Sequence, residues 1–247
     1  MNLFDLKQAA NDGVPEAEFL IGVFYQNGLV FQPDKEKAVM WYSRAAKKGF
    51  AAAQYSLASI KSDGLADGDA GGHSTSFKLF LAAAGKGFWP AQDAVAGAIE
   101  LGYGVKPNPR KAFLRAKSTA DEGYTQAEVR VASMYQQGRG TPVNPKQAIY
   151  YYKRAAKRGH GLAAYSIAGI YKEKPSSKRN NTQILAWLHR SAELNYINAH
   201  FELHRVYSKG LYGQSIDAKK AERHKMRALE LTESLTLDHL TGWDDTV

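Results

Sequence analysis

Two histidines are the best candidates for metal ligands in the sequence. His200 and His204 are four residues apart on a predicted helix, so both imidazole rings can face one metal ion. A catalytic zinc helix also carries a glutamate directly after the first histidine, where it serves as the general base. Phe201 occupies that position here. We therefore predict no metal site, and we keep the His200–His204 pair as the alternative in which a metal is bound.

The other reactive side chains form no catalytic pattern that spacing alone can define. Gly102–Gly104 and Gly138–Gly140 have a Gly-x-Gly spacing, but they fall between predicted helices rather than after a strand, as a phosphate-binding loop requires. The seven histidines do not stand at the spacing of a Ser–His–Asp triad. With no cysteine in the chain, thiolate metal sites and disulfides are excluded. We predict that the protein is not an enzyme and needs no cofactor.

The elements that carry these side chains follow a pattern of two short amphipathic helices, seen most clearly in 125–160. The first helix has apolar residues at helical spacing and ends at Gly138. Asn144 can cap the second helix, and Pro145 suits its first position because the missing N–H would be unpaired there anyway. Gly159 ends the second helix, since glycine readily adopts the left-handed conformation of that position.

The same positions recur about every 36 residues along the chain. The helix-terminating position is held by Gly13, Gly49, Gly87, Gly123, Gly159 and Asn195, and asparagine is the second-best residue for a left-handed conformation. An alanine of the first helix keeps the same phase at Ala17, Ala53, Ala91, Ala127, Ala163 and Ala199. A small residue follows five positions later in most copies, as at Gly22, which allows two helices to approach closely. A period of this length predicts a helical solenoid rather than a single globular core.

The best copy combines these positions into a longer motif. Its residues are Ala17, Ile21, Gly22, Tyr25 and Gly28, followed by Asp34, Lys37, Ala38, Trp41, Tyr42, Ala45, Ala46 and Gly49. This motif resembles the Sel-1-like repeat family, a branch of the tetratricopeptide superfamily. The resemblance implies an all-α fold, a right-handed α-solenoid of antiparallel helix pairs.

The repeat also predicts the organisation of the chain. Residues 1–14 form an N-terminal half-repeat helix, from which Phe4 and Leu6 are expected to pack on the first full copy. The six full copies are expected at 15–50, 51–88, 89–124, 125–160, 161–196 and 197–232. Residues 233–247 are expected to lengthen the last helix and to form a C-terminal capping tail, because a terminal repeat exposes an apolar face.

A partner-binding groove is expected on the first helices, since in the superfamily these helices line the concave face. The 36-residue phase places the following residues in the groove: Phe19, Val23, Gln26, Tyr55, Ser59, Asp93, Glu100, Val129, Gln136, Tyr165, Lys172, Phe201 and Arg205. Aromatic rings over a floor of small residues are typical of a protein-binding surface. The alternative is that some of these rings fold back onto their own helix pair.

The charge of the chain points to an acidic partner. The net charge is +9, and the residues from Leu229 onward hold five acids without a Lys or Arg, so the rest carries about +14. Many cations fall in the last turns of second helices, where they can also simply complement the helix dipole. A surface that attracts an acidic protein is the sharper interpretation. Nucleic acid is the alternative partner, although the sequence lacks a nucleic-acid-binding motif.

The predicted function is a non-catalytic scaffold that binds a protein or peptide rather than a small-molecule substrate. The resemblance implies adaptor roles in bacterial signalling, envelope biogenesis or host contact, and also immunity proteins that neutralise secreted effectors such as phospholipases of the type VI secretion system. The alternative function is a basic solenoid that binds nucleic acid. The sequence has no apolar run long enough for membrane insertion. The expected location is the cytoplasm for the chain as given, or the bacterial periplasm if a signal peptide has been removed.

Overall fold

The computed structural model describes residues 2–63 and 70–240, and within them the chain forms α-helices joined by short turns, without a β-strand. The helices are α1 Leu3–Asn11, α2 Pro15–Asn27, α3 Lys35–Lys47, α4 Ala51–Asp63, α5 Ala70–Ala84, α6 Trp89–Leu101, α7 Pro109–Asp121, α8 Thr125–Gln137, α9 Pro145–Lys157, α10 Gly161–Lys172, α11 Lys178–Glu193, α12 Ile197–Lys209 and α13 Ala218–Leu240. A 3-10 turn at Leu211–Gly213 precedes α13. The prediction of an all-α fold built from helical repeats is confirmed.

The helices divide into two compact units, residues 1–122 and residues 123–247. In unit 1, α1 packs on α2 and each helix packs on the next through α7. In unit 2, the same succession runs from α8 to α13. Each predicted copy therefore contains one helix pair, and within each unit neighbouring pairs bury their apolar faces against each other. The repeat boundaries themselves stay a prediction.

The residues that end the second helices adopt the conformation that the sequence predicts. The backbone φ angle is +85° at Gly49 and +92° at Gly159, and Asn195, which takes the place of glycine in the fifth copy, has a φ of +55°. The second helices begin as predicted too. Asn144 accepts a hydrogen bond from the backbone N–H of Gln147 at 3.1 Å, and Pro145 occupies the first helical position. The periodic signals of the sequence thus mark real helix ends.

The two ends of the chain differ in part from the expectation. Leu6 of α1 is buried on the first full copy, as predicted, but Phe4 is 75% exposed. The prediction for Phe4 was wrong because the buried face of α1 runs through Leu6 and Ala10, four residues apart, and Phe4 lies off that face. At the other end, α13 continues to Leu240 and includes the first part of the predicted capping tail. Residues 241–247 lie outside the described part of the chain.

Close helix packing depends on Gly22 in the first copy. A Cβ atom at Gly22 would lie 2.7 Å from two ring carbons of Tyr42, closer than such atoms approach in proteins. Four of the other copies have alanine at this position, and the fourth copy combines Ala132 with the buried Tyr152. In the first copy, the ring of Tyr42 lies too close to Gly22 to leave space for a Cβ atom. Gly169 of α10 is also helical, and a Cβ there would meet no atom within 4 Å.

These two glycines predict opposite effects of the same substitution. Gly22→Ala is expected to lower the free energy of unfolding by about 1–3 kcal/mol, because the Tyr42 ring must move. Gly169→Ala is expected to raise it by up to about 1 kcal/mol, because alanine favours a helix over glycine. Urea unfolding followed by circular dichroism measures both variants. A change of the same sign in the two would contradict this account of the helix contact.

Candidate functional site

The predicted groove residues of unit 1 lie on α2, α4 and α6, and their aromatic rings fold back onto the helix pair. The Phe19 ring lies 5.6 Å from the Tyr42 ring and 5.3 Å from the Phe50 ring, centroid to centroid. Tyr55 makes the same type of contact with Phe80 and with Phe88. Val23, Ser59, Asp93 and Glu100 are half-buried. The aromatic groove residues of unit 1 therefore contribute mainly to packing within their own repeats.

The two predicted groove glutamines bind tyrosines of the second helices. The Tyr42 hydroxyl donates a hydrogen bond to Gln26 Oε1 at 2.6 Å, and the Tyr152 hydroxyl donates one to Gln136 Oε1 at 3.3 Å. Burial raises the pKa of Tyr42 to about 12, and it raises the pKa of Tyr152 as well, so both hydroxyls stay protonated as donors. Gln26 and Gln136 are thus partly occupied by contacts within their own helix pairs.

In unit 2, the first helices α10 and α12 are joined by a charged cluster. Lys172 and Arg205 both form ion pairs with Glu202 Oε1, and the Arg205 Nη2–Oε1 distance is 2.7 Å. Burial alone would raise the pKa of Glu202, but the hydrogen bonds and charges of the two cations outweigh it and hold the pKa below its usual value. The Lys172 ammonium also lies 5.8 Å from the centre of the Tyr165 ring. The cluster carries one net positive charge.

Phe201 stands beside this cluster and is 43% exposed. Three earlier copies have a ring at this position, and in each of them an aromatic residue that precedes the next first helix covers it, as Tyr196 covers Tyr165 at 5.3 Å. In the last copy, α13 runs through the corresponding part of the chain, where Thr232 stands. Phe201 and Arg205 are four residues apart on α12 and therefore neighbours on one helix face. We name Val129, Gln136, Tyr165, Lys172, Phe201, Glu202 and Arg205 the first-helix face of unit 2.

The candidate metal pair His200–His204 is not directed at a common point. His200 Nδ1 lies 3.1 Å from His224 Nδ1 of α13, whereas His204 Nδ1 donates a hydrogen bond to the Ala221 carbonyl at 2.9 Å. Among the described residues, no group of three or more His, Cys, Asp or Glu side chains is arranged to hold a metal ion. The structure thus brings His200 together with His224, and the absence of a metal stays a prediction.

Sequence reasoning missed a pair of buried carboxylates at the same position of two copies. Glu18 and Glu128 are completely buried on α2 and α8. Glu18 Oε1 accepts from Arg44 Nε at 2.9 Å, and Glu128 Oε1 accepts from Arg154 Nε at 2.8 Å. Each arginine stands 26 residues after its glutamate, a recurrence that the sequence already contains. These ion pairs fasten a first helix to a second helix.

Comparison with known proteins agrees with this architecture. The family model for the Sel1 repeat matches residues 15–50, 51–88, 89–114 and 125–160, which together make up more than half of the chain. The chain belongs to the Sel1 repeat family. A search of curated protein sequences found no match. In the part of this Sel1 repeat protein that the structure describes, no helix is both long and apolar enough to span a bilayer.

Solved structures similar to this Sel1 repeat protein share its fold. A Sel1 repeat protein from Oxalobacter formigenes is 27% identical with a TM-score of 0.73, over 87% of this chain and 84% of that one. An immunity protein from Pseudomonas aeruginosa is 18% identical with a TM-score of 0.60, over 89% and 82% of the two chains. A protective antigen of uropathogenic Escherichia coli is 21% identical with a TM-score of 0.55, over 91% and 56%. The last two likenesses concern the fold alone.

Proposed function

We propose that this Sel1 repeat protein is a non-catalytic scaffold that binds an acidic protein partner on the first-helix face of unit 2. The observation that carries the proposal is the exposed Phe201 ring beside two cations, Lys172 and Arg205, that share the carboxylate of Glu202. Aromatic residues and arginine are enriched at protein interfaces, and a few such residues supply most of the binding energy. Sel1 repeats generally mediate protein–protein interaction, which supports a binding role for this surface.

The ion pairs favour binding because they fix the two cations before the partner arrives. A free lysine or arginine loses side-chain entropy when a partner immobilises it, about 0.5–1.5 kcal/mol for each side chain. Glu202 holds both cations while leaving one positive charge uncompensated. A carboxylate of the partner is therefore attracted to side chains that are already in place.

A narrower proposal is that the protein neutralises a secreted effector, in the manner of an immunity protein. Its support is the fold shared with an immunity protein of Pseudomonas aeruginosa and the basic charge of the chain. Under this proposal the partner is an effector, such as a phospholipase delivered by a type VI secretion system. The protein would act in the compartment that the effector enters, the cytoplasm or the periplasm. An effector encoded next to this protein is expected to be toxic alone and harmless when both are expressed, and continued toxicity would refute the narrower proposal.

The first-helix face is tested by Phe201→Ala combined with Arg205→Ala. With the partner purified after capture from the native cell, we expect this double variant to weaken binding by at least about tenfold, because it removes the aromatic anchor and one cation. The matched control is Tyr150→Ala with Lys146→Ala, which removes an exposed aromatic ring and a cation from the second helix α9.

Titration calorimetry on the two double variants decides between the outcomes. A loss of less than twofold at Phe201 and Arg205, or an equal loss in the control, would show that the partner binds elsewhere. Binding to mixed RNA with a steep dependence on salt would instead favour the nucleic-acid function.

A further inference from the structure

A cavity lies in unit 2 between the second helices α9 and α11, whereas the first-helix face is formed by first helices. The cavity has a volume of about 390 Å³ and is lined by Lys153, Ala156, Lys157, Ala186, Trp187 and Arg190. We call it the α9–α11 pocket. The volume is in the range of sites that hold a small ligand or one large side chain. Trp187 is half-buried and is the largest apolar side chain among the residues that line the pocket.

The described residues lining the pocket include three cations and no acid. The Lys153 ammonium lies 5.7 Å from the centre of the Trp187 ring, so a positive charge stands directly over the aromatic surface. Arg190 Nη1 forms an ion pair with the exposed carboxylate of Glu193 at 3.0 Å, which compensates one of the three charges. The pocket therefore combines an apolar floor with about two uncompensated positive charges at its rim.

The repeat itself supplies an internal comparison, because unit 1 has a cavity at the same place of its second helices α5 and α7. That cavity has a volume of about 290 Å³. A shift of 72 residues, two repeats, relates Lys153, Lys157 and Arg190 to Leu81, Gly85 and Ser118. The lining of the unit 1 cavity also includes Glu122 and one cation, Arg115, which stands at the position of Trp187. In unit 1 these three positions hold an apolar residue, a glycine and a serine. The repeat fold therefore does not require the cations that stand at the same positions of the α9–α11 pocket.

Two other cations at the ends of second helices, both at the repeat position of Arg158, have a clear structural role. Lys48 Nζ donates a hydrogen bond to the Gly13 carbonyl at 2.6 Å, and Lys86 Nζ donates one to the Gly49 carbonyl. These bonds satisfy carbonyl groups at a helix end of the preceding repeat. Lys157 forms no hydrogen bond or ion pair with the described residues. Its charge is therefore available to a ligand.

We infer that the α9–α11 pocket binds an acidic peptide segment of a partner protein, with one apolar side chain on Trp187 and flanking carboxylates at Lys153, Lys157 and Arg190. Charge complementarity selects this occupant, since the rim is cationic and the floor is apolar. An apolar side chain alone would leave the charge of Lys157 without a partner, and a carboxylate alone would make no apolar contact with Trp187. The pocket shares no residue with the first-helix face, so the two proposed binding sites can be tested independently.

The test uses the synthetic peptide Glu-Asp-Leu-Glu-Asp-Glu labelled with rhodamine, and fluorescence anisotropy with the full chain. We expect saturable binding that weakens with salt. Lys153→Leu with Arg190→Ser installs the residues of the unit 1 cavity and is expected to weaken binding at least about tenfold. The matched control is Lys146→Leu with Lys178→Ser, which removes the same charge at the opposite ends of the same two helices. Thermal unfolding of each variant verifies that it is folded.

Each result bears on the inference. It is supported if only the pocket variant loses affinity and if Phe201→Ala with Arg205→Ala leaves peptide binding intact. It is overturned by a dissociation constant above about 1 mM for the peptide, which corresponds to binding too weak for recognition. It is also overturned by an equal loss in the control variant, by equal binding of the peptide with Gln and Asn in place of its acids, or by tighter binding of a uridine oligonucleotide that displaces the peptide.

Discussion

Replacing Arg154 and Arg158 together by methionine is expected to lower the free energy of unfolding by about 3–5 kcal/mol, the largest effect of any substitution proposed for this chain. Both cations bind Oε1 of Glu128, which is 0% exposed, and Glu128 Oε2 has no hydrogen-bond partner among the described residues. Without the arginines, the carboxylate would stay between α8 and α9 as an unpaired buried charge. A buried charge that loses its partners is among the most destabilising changes in a protein.

Replacing the other partner of these ion pairs, by Glu128→Gln, is expected to lower the free energy of unfolding by only about 1–2 kcal/mol. The arginine side chains are 25% and 45% exposed, so water can solvate them when the carboxylate is gone. Glutamine is also native to this position of the second copy, where Gln54 Nε2 donates to the Ala46 carbonyl at 3.3 Å. We therefore expect the double arginine variant to lose more stability than Glu128→Gln, because the carboxylate is fully buried and its two partners are not.

Urea unfolding measures this asymmetry, and α9 supplies the control. Lys153→Met with Lys157→Met removes two cations from the residues directly before Arg154 and Arg158, and these lysines are exposed. We expect this control to change the free energy of unfolding by no more than about 0.5 kcal/mol. If Glu128→Gln destabilises the chain as much as the double arginine variant does, then an unpaired buried carboxylate is not the cause of the loss of stability.

The helix ends of this chain were predictable because each depends on a local conformation. A left-handed residue is needed where a second helix ends, and this requirement identified Asn195 as the equivalent of the glycines in the other copies. Asn144 and Pro145 marked a helix start for the same reason, since a cap involves residues only three apart. The small-residue position at Gly22 was predictable as a close contact, but the Tyr42 ring that fills the space was not.

The exposed part of the candidate site was not predictable from helical periodicity. Periodicity places Tyr165 and Phe201 at the same position of successive repeats, yet only Tyr165 is covered by an aromatic ring, that of Tyr196. The cover comes from a residue 31 positions further along the chain, where the last copy has Thr232 instead. The buried Glu18 and Glu128 were missed for a related reason. A glutamate on an apolar helix face can be recognised as one half of a buried ion pair only together with the arginine of the next helix.

Acidification from pH 7 to pH 5 is expected to destabilise unit 2 through its histidines, and this is the second large effect. His189, His200 and His224 lie on α11, α12 and α13, and the ring of His224 stacks on Tyr207 at 5.8 Å. Burial, followed by the charges of His200, His189 and Arg223, lowers the pKa of His224 to about 4. Burial is also the main cause that lowers the pKa of His189 and of His200. The folded chain therefore favours the neutral form of these rings more than the unfolded chain does.

The direction of the effect follows from these lowered pKa values. Unfolded histidine has a pKa of about 6.5, so below that pH the unfolded chain binds protons that the folded chain refuses. The stabilisation is complete above about pH 6.5 and is lost as the pH falls toward the folded pKa of about 4 for His224. For His224 alone the loss between pH 7 and pH 5 is about 2 kcal/mol. A loss of that size lowers the Tm by about 4–8 °C for a chain of this length.

His224→Phe separates this effect from general acid sensitivity. Phenylalanine keeps a flat ring against Tyr207 but cannot take up a proton, so the decline of the Tm between pH 7 and pH 5 is expected to become smaller. His189 and His200 are still present in the variant and account for the decline that is left. His73→Phe is the control, because His73 also stacks on a tyrosine, Tyr103, at 5.1 Å, but lies in unit 1. A decline of equal steepness in wild type and His224→Phe would mean that His224 titrates alike in the folded and unfolded chain, and that its burial against α11 and α12 does not govern acid stability.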